Sequence, residues 1–240
     1  MAMQALLVYA HPEPQAFNAA LRDVAIEALQ EQGYVVEVSD LYAMNFNPVA
    51  GRGDFTGCQN SEIFNLSLEQ RHAAKNGTLI PLIAQQLETL QKADLLILQF
   101  PLWWFGMPAI LKGWIDRVFI SGVVYGRSAQ FELGKFRGKR ALVCTTTGAP
   151  ELAYGPEGIN GEMNNLLMPL LRGVLGFTGM TVLPPFVGYA VPYLGEEARK
   201  DMLKSYENHI KNLELLTPLT MPKLSDHPEL PTGNDRPQAK

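Results

Sequence analysis

The chain has 240 residues, of which 47% are hydrophobic and 18% charged, so it has enough apolar material for a sizeable core. Its net charge of −4 and pI of about 5.6 argue against nucleic acid as a partner, because phosphate backbones attract basic surfaces. No apolar run approaches the ~20 residues that cross a bilayer, and no secretory signal pattern opens the chain. We therefore expect a cytoplasmic protein without membrane insertion.

Short apolar runs alternate with longer amphipathic stretches along the chain. The apolar runs are typical of strands covered on both faces, and the amphipathic stretches have helical spacing. This alternation predicts an α/β fold, with a doubly wound five-stranded parallel sheet and helices on both faces. The predicted strands are 5–10, 34–38, 95–100, 140–145 and 180–187, and the predicted helices are 19–32, 79–93, 108–118, 163–177 and 196–216.

Two segments do not fit the alternation. Residues 41–78 form a connection too long for a plain loop, which indicates a functional or partly structured segment. The tail, 218–240, holds five of the 17 prolines and predicts an extended arm or a disordered end, one that could reach a neighbouring chain. We therefore expect one catalytic domain over 1–217 followed by this tail.

Ligands of an open parallel sheet bind beyond the carboxyl ends of its strands, which directs attention to three loops. The first, 10–18, lacks the glycine pattern of Rossmann and P-loop proteins, but it supplies a helix amino terminus suited to an anion such as a pyrophosphate. His11 either adds a donor there or only closes a turn. The second, 100–108, places three aromatic rings where a flat ligand would fit. The third, 145–150, offers hydroxyls and a glycine.

These loops belong to longer runs that resemble the FAD-dependent NAD(P)H:quinone oxidoreductases. The runs are SDLYAMNFNP at 39–48, FPL at 100–102, WFG at 104–106 and PAILKGW at 108–114. The resemblance extends from the first strand to about Leu216. It implies a flavodoxin-like fold, bound FAD, and a homodimer with two active sites at the subunit interface.

The resemblance also implies the residues that contact cofactor and substrate. The neighbouring chain would contribute Tyr125 to each substrate site. The residues implied for FAD are His11, Phe17, Asn18, Ala19, Asn65, Pro101, Leu102, Trp103, Trp104, Phe105, Thr146, Thr147, Gly148, Ala149, Tyr154 and Arg199. The residues implied for substrate are Trp104, Phe105, Tyr125, Arg127 and Phe177.

The implied reaction is ping-pong: NADH or NADPH reduces the flavin by hydride transfer, leaves, and a quinone takes the same place. Tyr154 and Asn160 are the implied catalytic residues, which stabilise the charge of the reduced flavin. Asn160 stands where the family commonly has histidine, and an amide cannot become a cation. A branch that prefers small nicotinamide ribosides also has asparagine there, so the choice of nicotinamide stays open. A plainer interpretation makes Asn160 the cap of a helix beginning near Gly161.

Other positions depart from the family pattern. Trp103 replaces a common glutamine, and Arg127 replaces a frequent second tyrosine. Arg172 and Gly176 occupy the places of histidines that bind metal in the riboside-preferring branch, and the two cysteines fit no zinc or disulfide spacing. We expect no metal.

Two other functions are compatible with the same fold. One is a cytoplasmic regulatory flavoprotein that docks on a glutathione-gated potassium efflux system, although such proteins tend to lack the run at 39–48. The other is an FMN azoreductase or nitroreductase-like enzyme. The insert after Asp40 favours FAD, because FMN needs no adenosine site.

Overall fold

The computed structural model describes residues 2–230, and within them a parallel sheet separates two layers of helices. The elements in chain order are β1 (Gln4–Tyr9), α1 (Phe17–Glu31), β2 (Val35–Asp40), α2 (Leu66–Asn76), α3 (Pro81–Lys92), β3 (Leu95–Pro101), α4 (Ala109–Val118), β4 (Arg140–Thr146), α5 (Met163–Leu170), β5 (Thr181–Val182), β6 (Phe186–Gly188) and α6 (Glu196–Lys211). No helix among the described residues has both the length and the apolar character needed to cross a membrane.

The strands follow the order β2-β1-β3-β4-β5, and every pairing is parallel. β3 is buried along its whole length, as the apolar run predicts. Alternate residues of the central strands face opposite layers: α1 and α6 cover one face, and α3, α4 and α5 cover the other. The α/β architecture with helices on both faces is confirmed.

The predicted fifth strand, 180–187, is two short strands, so the described residues contain six strands rather than five. Thr181 pairs with the start of β4 and Phe186 with its end. Pro184 and Pro185 lie between them. Because proline has no amide hydrogen to donate, the ladder is interrupted there.

The long connection, 41–78, contains the helix α2, which the sequence pattern does not predict. Only a few residues of α2 are apolar, so its hydrophobic periodicity is weak. Its boundaries are nevertheless typical: the Asn65 side chain accepts a hydrogen bond from the Leu68 N–H, and Gly77 ends the helix in a left-handed conformation (φ 68°). These two capping residues are the signal that could have identified it.

One carboxyl-terminal prediction needs correction. The helix predicted over 163–177 is regular only to Leu170 and then continues as a wider π turn (Leu171–Leu175) and a 3₁₀ turn (Gly176–Thr178). Pro169, inside the helix, removes one backbone donor. The described part of the tail packs on its own chain, where the Leu219 N–H donates to the Val182 carbonyl (2.8 Å). The rest of the predicted tail, 231–240, lies outside the described residues.

Candidate active site

A pocket of about 280 Å³ lies at the carboxyl ends of β1, β3 and β4, where the topology predicts a ligand. Most of its lining was predicted from the sequence, and Ala16, Val191 and Pro192 were not. Nine predicted cofactor residues meet here, and we call them the cradle: His11, Phe17, Asn18, Pro101, Leu102, Trp103, Thr146, Thr147 and Gly148.

The first loop arranges donors at the entrance of α1. The His11 Nδ1 atom lies 3.0 Å from the Glu13 backbone nitrogen and 3.2 Å from the Glu13 carbonyl oxygen. His11 therefore closes a turn and also lines the pocket. Helix α1 begins at Phe17 without a side-chain cap, and the next residues, Asn18 and Ala19, are buried in its first turn. Such an uncapped helix start favours an anionic ligand.

Asn18 joins the first loop to the end of β4. Its side chain is 3% exposed, and its amide donates to Thr146 Oγ1 (2.6 Å). Its main-chain carbonyl accepts a hydrogen bond from Gln99 Nε2 (2.5 Å). Its Oδ1 has no partner among the described residues. A buried acceptor left without a donor is costly, and a ligand with a hydroxyl or N–H group would satisfy it.

Behind the cradle lie buried polar groups that the sequence analysis did not select. Gln99 is fully buried in β3, and the Tyr206 hydroxyl of α6 approaches its Oε1 at 3.5 Å. Cys144 lies beside Tyr206, and burial raises the pKa of its thiol to about 12, so this cysteine is an inert strand residue. The available signal for Gln99 was a lone amide inside the apolar run LLILQFP.

The second loop forms a tight two-residue hairpin. Trp103 and Gly106 exchange both backbone hydrogen bonds (2.9 and 3.0 Å), and Trp104 and Phe105 between them have positive φ angles of 50° and 59°. The Trp103 ring lies 6.4 Å from the His11 ring at the side of the cradle. Trp104 is 97% exposed and Phe105 about half exposed. These two rings, predicted to contact both cofactor and substrate, extend into solvent from the single chain.

The third loop carries a pair of hydroxyls. Thr147 Oγ1 lies 2.7 Å from the Tyr154 hydroxyl and also accepts the Ala149 N–H (3.3 Å). The Tyr154 ring packs against that of Tyr189, at 5.7 Å between centroids. Thr147 lines the cradle, so Tyr154 is one hydrogen bond away from it. Their mutual hydrogen bond uses only one of the two O–H hydrogens, so the other hydroxyl can donate to a ligand.

Asn160 follows Tyr154 in the connection between β4 and α5. Its N–H donates to the Ala153 carbonyl (2.9 Å), which keeps it beside the residue preceding Tyr154. The helix α5 begins only at Met163, and its N-cap is Glu162. The interpretation of Asn160 as a helix cap is therefore wrong.

Arg199 lies at the edge of the cradle on α6. Its guanidinium donates to the carbonyls of Leu194 (3.0 Å) and Val191 (3.4 Å), and lies 5.9 Å from the ring centroid of Phe17. Its positive charge is thus fixed near the start of α1. It is not an ordinary solvated helix charge.

The remaining predicted residues form a second group. The Tyr125 and Phe177 rings lie 6.2 Å apart and line an apolar pocket of about 310 Å³. Asn65 caps α2 immediately before this pocket, and Arg127 lies on the exposed turn that follows Tyr125. We call five of the residues that line this pocket the wall: Leu66, Ser67, Tyr125, Val174 and Phe177. The cradle and the wall share no lining residue, so within the single chain Tyr125 and Phe177 line a different pocket from the nine cradle residues.

Nearly the whole chain is similar to known oxidoreductases. The sequence profile of the flavodoxin-like fold family matches residues 3–211. NAD(P)H dehydrogenase (quinone) 1 of Cavia porcellus is 42% identical over 217 residues, which are 90% of this chain and 79% of that protein. Ribosyldihydronicotinamide dehydrogenase (quinone) of Mus musculus is 43% identical over 209 residues, 87% of this chain and 90% of that protein. This chain belongs to the NAD(P)H:quinone oxidoreductase family. The resemblance predicted from the runs at 39–48 and 100–114 is confirmed.

Membership in this family makes the chain an enzyme of the NAD(P)H dehydrogenase (quinone) type. A solved structure supports the same fold: a provisionally assigned quinone reductase of Klebsiella pneumoniae superposes with a TM-score of 0.86 at 37% identity. That match covers 90% of this chain and 87% of the other. The flavodoxin-like fold places a flavin at the carboxyl edge of the sheet, which is where the cradle lies.

Proposed function

We propose that this chain is a homodimeric FAD-dependent enzyme that reduces quinones by two electrons in a ping-pong cycle, with NADH or NADPH as the reductant. Family membership supports the reaction class. The main observation that supports a bound cofactor is the cradle, where the uncapped start of α1 and the unpartnered Oδ1 of Asn18 lie at one pocket. The predicted cytoplasmic location stays a prediction.

The chemistry of the cradle residues suits a flavin dinucleotide. The uncapped α1 start, with the His11 ring and the nearby Arg199, suits the negative charge of a pyrophosphate. Asn18 Oδ1 suits a hydroxyl donor of the sugar chain. Leu102 and Trp103 suit a flat ring. When bound, FAD supplies the hydride-accepting and hydride-donating chemistry that no side chain provides.

The chain's own groups orient the reactants and stabilise charge. The Thr147–Tyr154 hydroxyl pair presents a donor at the edge of the cradle, and a donor fixed before reaction stabilises developing negative charge without reorganising. Asn160, held beside Ala153, adds an amide that donates but stays neutral. A neutral pair stabilises an anion less than a cationic histidine would.

The separation of cradle and wall supports the homodimer. Tyr125 and Phe177 line a pocket that is separate from the cradle of the same chain, so a shared site is readily built by pairing the cradle of one chain with the wall of another. Trp104, 97% exposed beside the cradle, is a large apolar side chain that an interface would cover. Obligate interfaces of this kind commonly bury more than about 2,000 Å² in total.

Identification of the flavin tests the cofactor directly. We expect the purified protein to be yellow and to release one FAD per chain on denaturation, measured by absorbance and chromatography. Released FMN would instead favour the azoreductase or nitroreductase-like alternative. Colourless protein that takes up no FAD on titration would overturn the proposal.

Mixed dimers test the shared site. Gly148→Glu places a bulky carboxylate in the cradle, and Tyr125→Ala removes a ring from the wall. Each homodimer should be nearly inactive with a quinone. A mixed dimer keeps one intact site of two, from the cradle of one chain and the wall of the other, so the purified mixed dimer should recover about half of the wild-type rate. If each chain carried a complete site, the mixed dimer would stay inactive.

A further inference from the structure

The tail is fastened to its own chain by one carboxylate. The N–H groups of Leu224 and Ser225 donate to the two oxygens of Glu132, at 2.8 and 2.9 Å. Glu132 lies 92 residues earlier in the sequence, in a short 3₁₀ turn (Phe131–Leu133). Two backbone donors on one carboxylate form charge-assisted hydrogen bonds, which are stronger than neutral ones.

A second contact holds the tail against the π and 3₁₀ turns that follow α5. A Cβ at position 176 would lie 2.6 Å from the Met221 sulfur, so the absence of a side chain at Gly176 makes room for Met221. Met221 also packs against the main hydrophobic core. Gly176 is buried and immediately precedes Phe177, a residue of the wall.

The turn that carries Glu132 also contacts the wall. The Phe131 ring meets the Phe177 ring edge-on at 5.7 Å, and Phe177 in turn packs against Tyr125. The Phe136 N–H donates to the Thr178 carbonyl (2.9 Å), which ties the two segments together on the far side. Phe131 has a positive φ of 48°, a conformation that persists only where surrounding contacts hold it.

We propose that Glu132 and the tail segment 218–226 form a clamp that positions Phe177 and Tyr125, and that this clamp sets which acceptors fit the wall. The second part rests on the proposed function, because it assigns the wall to the acceptor. Glu132 is a positioning residue, since it touches the tail rather than the substrate. The clamp is built from the carboxylate of Glu132, the thioether of Met221 and the space left by Gly176.

Hydrogen exchange of the flavin-loaded full-length protein tests the clamp without relying on activity. Glu132→Gln keeps the size of the side chain but turns an NH₂ group toward one of the two N–H donors. We expect amides in 131–136 and 175–180 to exchange about tenfold faster or more, while those of β1 and β3 stay unchanged. Glu229→Gln, the same change at an exposed tail carboxylate, is the matched control and should leave both segments protected.

Gly176→Ala provides a second route to the same result. The added methyl would lie 2.6 Å from the Met221 sulfur, so the Met221 side chain must move, which removes this second contact while leaving Glu132 intact. If neither Glu132→Gln nor Gly176→Ala loosens 131–136 and 175–180, the clamp does not hold the wall and the proposal is wrong.

Quinones of two sizes test the effect on acceptors. We expect Glu132→Gln to change the ratio of kcat/KM for menadione to that for p-benzoquinone by about threefold or more, with FAD content unchanged. An unchanged ratio in a protein whose wall exchanges faster would overturn the acceptor role alone. A wild-type enzyme that reduces no quinone would overturn the proposed function, and the exchange data would still decide whether Glu132 holds the wall.

Discussion

The cradle and the wall are built in opposite ways. The cradle lies at the ends of three neighbouring strands and is backed by fully buried polar groups, Gln99 and Tyr206 among them. The wall joins the start of α2, the irregular turns that follow α5 and the turn that carries Tyr125, which are distant in sequence. Buried, hydrogen-bonded groups fix a geometry, while apolar contacts between irregular segments adapt more readily.

This difference matches two separate tasks. A tightly held cofactor needs a cradle with one arrangement of donors and acceptors, and changes there should affect flavin binding or the rate of hydride transfer. An enzyme that accepts several quinones needs an apolar face of adjustable shape. Changes in the wall should therefore affect the choice of substrate more than the chemistry.

The largest expected effect concerns the support of the wall. Arg117 and Asp54 form an ion pair (2.6 Å) with both side chains about 95% buried, and it ties the connection containing α2 to α4. Arg117→Ala leaves Asp54 buried without its cation, so the free energy of unfolding should fall by about 3–5 kcal/mol. Urea denaturation measures this loss. The exposed Lys112–Asp116 pair of the same helix is the control: Lys112→Ala should cost only about 0–0.5 kcal/mol.

Tyr154→Phe tests the chemistry of the cradle. Removing one neutral donor to an anion should cost about 1.5–3 kcal/mol, a fall of roughly 10- to 150-fold in the rate of flavin reduction, with FAD binding nearly intact. Stopped-flow absorbance measures the rate. Tyr34→Phe is the control, because Tyr34 is also hydrogen-bonded but precedes β2 at the opposite edge of the sheet. An unchanged rate in Tyr154→Phe would remove this hydroxyl from the mechanism.

Asn160→His should have a smaller effect, in the opposite direction. An imidazolium stabilises negative charge better than an amide does, so we expect flavin reduction to become up to about tenfold faster. Because the cation exists below the pKa of histidine, ordinarily about 6.5, the gain should grow as the pH falls through neutrality. Asn160→Ser keeps a neutral donor and should show no such pH dependence. A pH-independent rate in Asn160→His would separate position 160 from the reacting charge.

The smallest effect is expected for Arg127, on the exposed turn that follows the wall residue Tyr125. Arg127 could pair with the 2′-phosphate of NADPH, which NADH lacks. An exposed pair of this kind contributes at most about 1 kcal/mol, so Arg127→Ala should raise the KM for NADPH by up to about fivefold and leave that for NADH unchanged. Steady-state kinetics with both nucleotides make the comparison. Equal changes in the two KM values would leave Arg127 without a role in nucleotide choice.

The cradle could be predicted from the sequence and the wall only by resemblance, for a physical reason. The ends of apolar strands are local features, so the strand pattern alone places residues such as Asn18 and Thr147 at one edge of the sheet. The wall depends on contacts across long separations, such as Glu132 with Ser225, that no local pattern encodes. The split fifth strand is a different case, because the two prolines that interrupt it are visible in the sequence. Its run is apolar enough for a strand, and only the missing amide hydrogens of Pro184 and Pro185 interrupt it.

In the hairpin between Trp103 and Gly106, the residues that serve function differ from those that would stabilise the fold most. Two-residue turns with positive φ at both positions are most stable with asparagine followed by glycine, whereas this chain carries Trp104 and Phe105 there. Each bulky residue in that conformation costs about 1–3 kcal/mol, which the rest of the fold must offset. A library at these two positions selected only for heat resistance should therefore converge on small residues, while selection for quinone turnover should restore the aromatic rings.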